Sequence, residues 1–135
     1  MQFFKGGERP HRPGNPDYFT GSVSQDPIIE APDPARVRAV IVTFQPGART
    51  NWHTHPLGQT LYVMSGEGWF QLDGESAREI RPGDTIWIAP GEKHWHGASA
   101  HSAMRHLAIQ EALDGKHITW LEPVSDEQYP SHAPT

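Results

Sequence analysis

The sequence contains no cysteine, no long apolar segment and no excess of positive charge. Without cysteine the chain forms no disulfide and offers no thiolate to a metal ion, and it suits a reducing cytoplasm, where we expect the protein to act. No window approaches the roughly 20 apolar residues of a membrane helix, and residues 1–16 lack the apolar stretch of a signal peptide. The net charge of −5, with no basic stripe, argues against nucleic acid as a partner.

Proline and glycine are abundant, with thirteen of each spread through the 135 residues. They separate short segments that are rich in β-branched and aromatic residues, such as Val37 to Phe44 and Thr85 to Ile88, and Asp73-Gly74 is typical of a hairpin turn. No window of about twelve residues combines helical periodicity with caps at both ends. We therefore predict an all-β protein, built as a barrel or a double-sheet roll.

The chain has the length of one domain, in which we distinguish three parts. Residues 1–36 form a predicted N-terminal arm that includes at least one strand. Residues 26–35 contain three prolines and must be extended or turned, because proline cannot donate to a sheet ladder. Residues 37–123 form the predicted barrel, and residues 124–135 form a C-terminal tail.

Five of the nine histidines lie at spacings that place them together on inward strand faces. His53 and His55 are two apart on a predicted strand from Thr50 to His55, so both imidazoles share one face. Gln59 shares its parity with the apolar residues Leu61 and Val63. By the same two-residue period, His94 and His96 share one strand face. Met104, His106, Ala108 and Gln110 share one face of the last long strand.

Imidazoles inside an apolar barrel are costly unless they are hydrogen-bonded or bound to something. Neutral imidazole is also the commonest metal ligand, so these positions predict a metal site. A lone histidine is more often a satisfied or surface residue, and we interpret His11, His101, His117 and His132 in that way. Most of the five tryptophans are interpreted as large hydrophobic side chains that fill the barrel or an interface.

Two segments resemble the two conserved motifs of the cupin superfamily. Gly47 to Gln59, closing at Gly66, resembles the first motif, a glycine followed by His-x-His and an acidic ligand. Gly83 to His94 resembles the second, which carries the last histidine ligand. The chain departs at Gln59, where most cupins carry Glu, and at Ala89, where Pro is usual. The resemblance implies a single cupin double-stranded β-helix, or jelly-roll barrel, and a divalent ion held by His53, His55, Gln59 and His94.

Three segments, WHTHPLGQTLYV, PGEKHWHGA and HLAIQEALDGK, resemble small bacterial cupins with hydroxynitrile lyase activity and cupins related to carboxymuconolactone decarboxylases. The resemblance implies Mn²⁺ as the metal, with Fe²⁺, Zn²⁺ or Ni²⁺ as alternatives, and a homodimer or homotetramer in which N-terminal strands cross to the partner subunit. It places catalytic roles on His96, His106 and Gln110, with either histidine as the general base. The expected pocket of the small-molecule substrate is lined by Val40, Val42, Phe44 and Leu61. A side chain smaller than Val40 is expected at that position, so Val40 narrows the pocket.

The amide at Gln59 bears on the chemistry that the site supports. Three imidazoles and an amide leave the 2+ charge of the ion unneutralised, which favours Lewis-acid work on a hydroxyl or carbonyl oxygen. The two-histidine, one-carboxylate triad of many oxygenases is absent from these positions. A lyase that cleaves or forms cyanohydrins such as mandelonitrile is therefore the leading hypothesis. The alternatives are a metal-dependent oxygenase or isomerase of a small aromatic or keto compound, and a cupin that binds a small molecule without catalysis.

Overall fold

The computed structural model describes all 135 residues, Met1–Thr135, and contains thirteen β-strands and no α-helix. No helix long and apolar enough to span a membrane is present. The strands are β1 (Arg12–Pro13), β2 (Phe19–Thr20), β3 (Val23–Glu30), β4 (Val37–Phe44), β5 (Arg49–Thr50), β6 (His53–Thr54), β7 (Gln59–Gly66), β8 (Gly68–Leu72), β9 (Arg78–Ile80), β10 (Thr85–Ile88), β11 (His94–Ala98), β12 (Met104–Glu111) and β13 (Thr119–Trp120).

Two antiparallel sheets face each other and form the barrel. The first sheet has the order β1-β3-β4-β12-β7-β10, and its four inner strands, β3, β4, β12 and β7, have eight residues each. The second sheet has the order β13-β6-β11-β5-β2, with β8 pairing with both β11 and β9. Many paired strands, such as β4 with β12 and β6 with β11, are distant in sequence, which is the arrangement of a jelly roll. The predicted all-β double-stranded β-helix, or jelly-roll barrel, is confirmed.

Strand alternation determines which side chains enter the barrel. On β12 the residues Met104, His106, Ala108 and Gln110 are buried, while Arg105 between them is exposed. On β7 the buried residues are Gln59, Leu61 and Val63. The predicted parities are therefore the ones that the barrel uses, because only one face of each strand meets the interior.

The interior contains a cluster of thirteen buried apolar residues, among them Phe44, Leu61 and Ile88. A second cluster lies on the other side of the second sheet and is formed by Trp52, Trp69, Trp95 and Val124. Trp120 is partly buried against the first cluster, so four of the five tryptophans pack in hydrophobic clusters, as expected. Trp87 does not, because 63% of its surface is exposed.

The structure adds two local details that the sequence did not predict. β3 continues through Pro27, which has no main-chain N–H to donate to the sheet. Its register with β4 shifts between Pro27 and Ile29, which accommodates the proline. The predicted strand from Thr50 to His55 is split into β5 and β6. The Asn51 amide donates to the main-chain carbonyl of Leu121, and the Trp52 main-chain N–H donates to that of Glu122, so this part of the chain turns toward the C-terminal tail.

The backbone requires glycine at the end of β7, the position that closes the first motif. Gly66 has a φ of 80°, a region that residues with a side chain rarely adopt. A Cβ at this position would also collide with the main-chain carbonyl of Ala103. Glycine therefore allows β7 to turn into β8 directly beside the start of β12.

Candidate metal centre

Three buried histidines approach one another on the inner face of the second sheet. One ring nitrogen from each of His53, His94 and His96 lies within 4.8 Å of the other two. His53 on β6 is the direct cross-strand neighbour of His94 on β11, and their ring centroids are 4.2 Å apart. His96 lies two residues further along β11, so it projects from the same face. This three-histidine cluster is a candidate site for a divalent metal ion.

His55 and Gln59 border the same cluster without belonging to the compact group of three. The His55 ring centroid is 5.1 Å from that of His53 and 5.5 Å from that of His94. The chain reverses between His55 and Gln59 at Gly58, where φ is 81° and a Cβ would lie 2.7 Å from the Ile88 carbonyl oxygen. The reversal brings the first residue of β7 back toward the histidines.

Hydrogen bonds to main-chain carbonyls fix the orientation of three of these imidazoles. The Nδ1–H groups of His53, His55 and His94 donate to the carbonyls of Asn51, His117 and Glu92, at 2.8, 2.7 and 2.8 Å. The opposite Nε2 atoms of His55 and His94 are buried and have no hydrogen-bond partner. This pattern is typical of metal-ligating histidine, because the Nδ1 bond fixes the tautomer and directs the Nε2 lone pair.

Gln59 offers an amide oxygen to the same space. Its Nε2 donates to Gln110 Oε1 at 3.0 Å, whereas its own Oε1 is buried without a partner. An orphaned amide oxygen and orphaned imidazole nitrogens are hard and borderline donors that suit a divalent ion. The residues present therefore fit the metal that the sequence predicts.

His96 is held differently, by His106 of the opposite sheet. His96 Nδ1 and His106 Nε2 are 3.0 Å apart, and both rings are buried. Phe44 packs against both, with ring centroids 6.0 Å from His96 and 5.3 Å from His106. His96 Nε2 and His106 Nδ1 have no hydrogen-bond partner. The pair therefore presents one free nitrogen from each ring to the interior.

Burial keeps all five imidazoles neutral near pH 7. Loss of hydration lowers the pKa of His55, His94 and His106 to about 4 each. It also lowers the pKa values of His53 and His96 well below the usual range, with neighbouring histidines adding to the effect. Neutral rings are what both metal ligation and general-base catalysis require.

An inner cavity of about 80 Å³ connects the metal cluster to the first sheet. Of the residues predicted to form the pocket, Val40, Val42 and Phe44 line it. Leu61 does not line it, although it is buried in the same hydrophobic cluster as Val42 and Phe44. The inner cavity is lined by Phe19, Gln25, Val40, Val42, Phe44, Thr50, His53, His55, Gln59, His96, His106, Ala108, Gln110, His117, Ile118 and Trp120.

Sequence reasoning missed several of these residues. His117, interpreted as a satisfied or surface residue, lines the cavity and accepts the His55 hydrogen bond through its carbonyl. Thr50 Oγ1 accepts the His96 main-chain N–H at 3.2 Å. The segment that contains His117 follows a turn at Asp114-Gly115, and its position on the barrel depends on packing, so the local sequence carries no signal for it.

A second concavity of about 220 Å³, here called the vestibule, adjoins the inner cavity. The two share Gln25, Val40, Gln110 and His117. The vestibule is lined by Arg12, Gln25, Pro27, Ile29, Glu30, Arg38, Ala39, Val40, Gln110 and His117. A larger surface concavity of about 590 Å³ runs from Phe70 to Trp87, but no histidine lines it, so the chemistry is concentrated in the inner cavity.

Comparisons with known proteins agree with this architecture. The cupin domain model matches residues 40–110. The chain is 57% identical over 129 residues to the (R)-mandelonitrile lyase of Granulicella tundricola, covering 96% of this chain and 98% of that protein. It is 29% identical over 111 residues to a probable (S)-ureidoglycine aminohydrolase of Oryza sativa subsp. japonica, covering 72% of this chain and 36% of that protein.

Among solved structures, a cupin-like protein from Thermotoga maritima superimposes with a TM-score of 0.82 at 35% sequence identity. The match covers 96% of this chain and 95% of that one. The family model spans more than half of the sequence, and its two motifs supply the histidines described above. The chain belongs to the cupin family and is an enzyme of that family.

Proposed function

We propose that this protein is a metal-dependent hydroxynitrile lyase that cleaves (R)-mandelonitrile and related cyanohydrins into an aldehyde and hydrogen cyanide. The observation that carries the proposal is the buried His96–His106 pair, which lies in one small cavity with the metal cluster and Gln110. The similarity to the lyase of Granulicella tundricola supports it, since the match covers nearly the whole of both chains. No Asp or Glu lines the inner cavity, which disfavours a carboxylate-dependent oxygenase.

We assign the metal ligands to His53, His55, Gln59 and His94, with Mn²⁺ as the ion. The support is the shared Nδ1–carbonyl bond of the three histidines and the free Oε1 of Gln59. His96 is in the compact cluster, but when its Nδ1 accepts from His106 its Nε2 carries the proton and has no lone pair for a metal, so we assign it to the reaction instead. A bound divalent ion supplies Lewis acidity that polarises a substrate oxygen and lowers the pKa of a hydroxyl.

The His96–His106 hydrogen bond couples the tautomers of the two rings. When His106 Nε2–H donates to His96 Nδ1, His106 Nδ1 presents a lone pair and His96 Nε2 presents an N–H. The pair therefore contains one base and one donor at the same time. We assign His106 as the general base and His96 as the donor. Gln110 contributes a second donor, because its Oε1 already accepts from Gln59 and its Nε2 remains available.

The cyanohydrin is cleaved by transfer of its hydroxyl proton and departure of cyanide. His106 Nδ1 takes the proton of the cyanohydrin hydroxyl, and the oxygen lone pair forms the carbonyl double bond. The bond to the nitrile carbon breaks, and its electron pair leaves with cyanide. His96 and Gln110 hold the departing cyanide by hydrogen bonds. The proton on His106 then passes to cyanide, so hydrogen cyanide and the aldehyde leave and the base is regenerated.

The test combines metal analysis with a lyase assay. The purified protein is analysed for Mn, Fe, Zn and Ni, and benzaldehyde release is measured from each enantiomer of mandelonitrile before and after chelation. We expect release that favours the (R) enantiomer, disappears with the chelator and returns with one of the four metals. Chelation should also lower the melting temperature, because a ligand that binds only the folded state stabilises it.

Release that never exceeds the buffer control, with metal bound, would refute the lyase proposal. Oxygen uptake with a catechol or a diketone would instead support the oxygenase alternative. A metal-free protein that folds and is fully active would refute the ligand assignment.

We also propose a homodimer or homotetramer that acts in the cytoplasm. Tyr62, Met64 and Trp87 are exposed on the outer face of β7 and β10, and such apolar area favours contact with another subunit. Sedimentation equilibrium of the wild-type protein and of the Trp87→Lys variant tests this proposal, since the variant should dissociate first. A monomeric wild-type protein would refute it.

A further inference from the structure

Arg38 lies at the mouth of the cavity, on the same strand as the pocket wall. It precedes Val40 by two residues on β4, so both share the inward parity. Its cross-strand neighbours are Gln110 on β12 and Glu30 on β3. Arg38 therefore lies where the vestibule meets the catalytic residues, and it is half-buried.

The guanidinium of Arg38 is held in place but has donors to spare. Its Nη1 donates to His117 Nδ1 at 2.9 Å. No carboxylate forms an ion pair with it, although Glu30 is its neighbour across the strands. A guanidinium has five N–H donors in a rigid plane, so the contact with His117 leaves a fork available to a ligand.

The dimensions of the two spaces indicate a substrate that occupies both. The inner cavity of about 80 Å³ is small for an organic ligand, and the vestibule adds about 220 Å³. Ligand sites usually begin at roughly 300 Å³. A substrate whose reacting carbon lies beside His106 would therefore extend past Val40 and Gln110 toward Arg38.

The charges of the vestibule indicate which chemical group the outer part of the substrate carries. Its charged side chains are Arg12, Arg38 and Glu30, and Arg12 and Glu30 are exposed while Arg38 is half-buried. Two cations against one anion give a positive balance. A planar guanidinium with a free fork matches the two oxygens of a carboxylate better than it matches any neutral group.

We propose that Arg38 determines specificity by binding a carboxylate at the far end of the natural substrate, which is then the cyanohydrin of an aldehyde acid. The reaction in this inference rests on the proposed lyase function. The carboxylate of the substrate rests on the position and free donors of Arg38. Mandelonitrile, which has no carboxylate, would occupy only the inner part of the site. Arg38 does not contact the reacting atoms in this arrangement and sets the affinity for the acid.

The experiment compares aldehyde acids with their primary amides, which have nearly the same shape without the charge. Glyoxylate, 4-oxobutanoate and 4-formylbenzoate, each with its amide, are tested for cyanohydrin synthesis, with benzaldehyde as the common reference. The dissociation constant of each pair is also measured by calorimetry without cyanide. The proteins are the wild type, Arg38→Gln, Arg38→Lys and Arg105→Gln. Arg105 is exposed on the outer face of β12, so its loss matches the charge change without touching the vestibule.

The wild type should prefer at least one acid over its amide by about tenfold to a hundredfold in kcat/KM and in affinity, the range for a hydrogen bond to a charged group. Arg38→Gln should abolish the preference, Arg38→Lys should retain part of it, and Arg105→Gln should leave it unchanged. Equal binding of acid and amide by the wild type, or a preference that survives Arg38→Gln, would overturn the inference. If benzaldehyde itself is not converted, the lyase proposal fails, and the calorimetric ratios still decide the role of Arg38.

Discussion

Replacing His106 with phenylalanine tests the base assignment with the least disturbance of packing. The His106 ring is fully buried, lies 5.3 Å from the Phe44 ring centroid and makes one hydrogen bond, to His96. Phenylalanine keeps an aromatic ring in this contact and removes both nitrogens. Alanine would instead open a cavity and mix two effects.

The structure allows the two consequences of His106→Phe to be separated by size. Loss of a general base lowers the rate by about a hundredfold to ten-thousandfold, or about 3 to 5 kcal/mol in the activation barrier. Leaving His96 Nδ1 unpartnered costs about 1 to 3 kcal/mol of stability. A domain with a stability of about 5 to 15 kcal/mol remains mostly folded after such a loss. A large fall in kcat therefore reports on chemistry, since unfolding would remove only a small part of the enzyme.

The assay is steady-state benzaldehyde release from (R)-mandelonitrile, with urea denaturation of each variant in parallel. The exposed His101 provides the matched control, because His101→Phe should leave both kcat and stability unchanged. Because His96 and His106 act as a hydrogen-bonded unit, a variant with both histidines replaced by phenylalanine should lose little more kcat than His106→Phe alone. A His106→Phe enzyme that is folded, loaded with metal and within threefold of the wild-type kcat (about 0.7 kcal/mol) would refute the base assignment.

Three further predictions concern the metal, the pocket and the tail. Gln59→Glu should bind Mn²⁺ about tenfold or more tightly in a chelator competition while kcat falls, because the carboxylate neutralises part of the ionic charge; unchanged affinity would argue against Gln59 as a ligand. Val40→Ala should raise kcat/KM for mandelonitrile, because Val40 lines both the inner cavity and the vestibule, at a cost of about 1 kcal/mol in urea denaturation; an unchanged kcat/KM would show that Val40 does not restrict entry. Burial raises the pKa of Tyr129, whose hydroxyl donates to the Ala98 carbonyl, so the unfolded chain loses this proton first and stability should fall as the pH rises above about 10. Tyr129→Phe should remove that part of the pH dependence, and an identical alkaline loss in the variant would assign it to other groups.

The strands that were predicted well are those in which local pattern and tertiary environment agree. Val37–Phe44 and Thr85–Ile88 have the bounds expected from their apolar and β-branched residues, and β12 contains the four residues predicted to share one face of the last long strand. The segment around His53 was predicted as one strand and is two. Its break depends on hydrogen bonds from Asn51 and Trp52 to the region of Leu121, about 70 residues away in the chain, and no local pattern encodes them.

The same division applies to the site. Strand parity placed His96, His106 and Gln110 on inward faces, and the structure brings all three to one cavity. Parity did not reveal that His96 would lie in the compact cluster with His53 and His94, or that Leu61 would be buried without lining the cavity. Those relations depend on how the two sheets pack across the barrel.

The sequence by itself therefore determined the β architecture, the inward set of imidazoles and the amide at Gln59, because periodicity and residue chemistry are local properties. Tertiary structure decided which nitrogens remain free. The His55 ring is oriented by the carbonyl of His117, the His96 ring is engaged by His106 from the opposite sheet, and Arg38 meets His117 at the mouth. Each of these contacts joins segments that are distant in sequence, and closure of the barrel is what brings them within hydrogen-bonding distance.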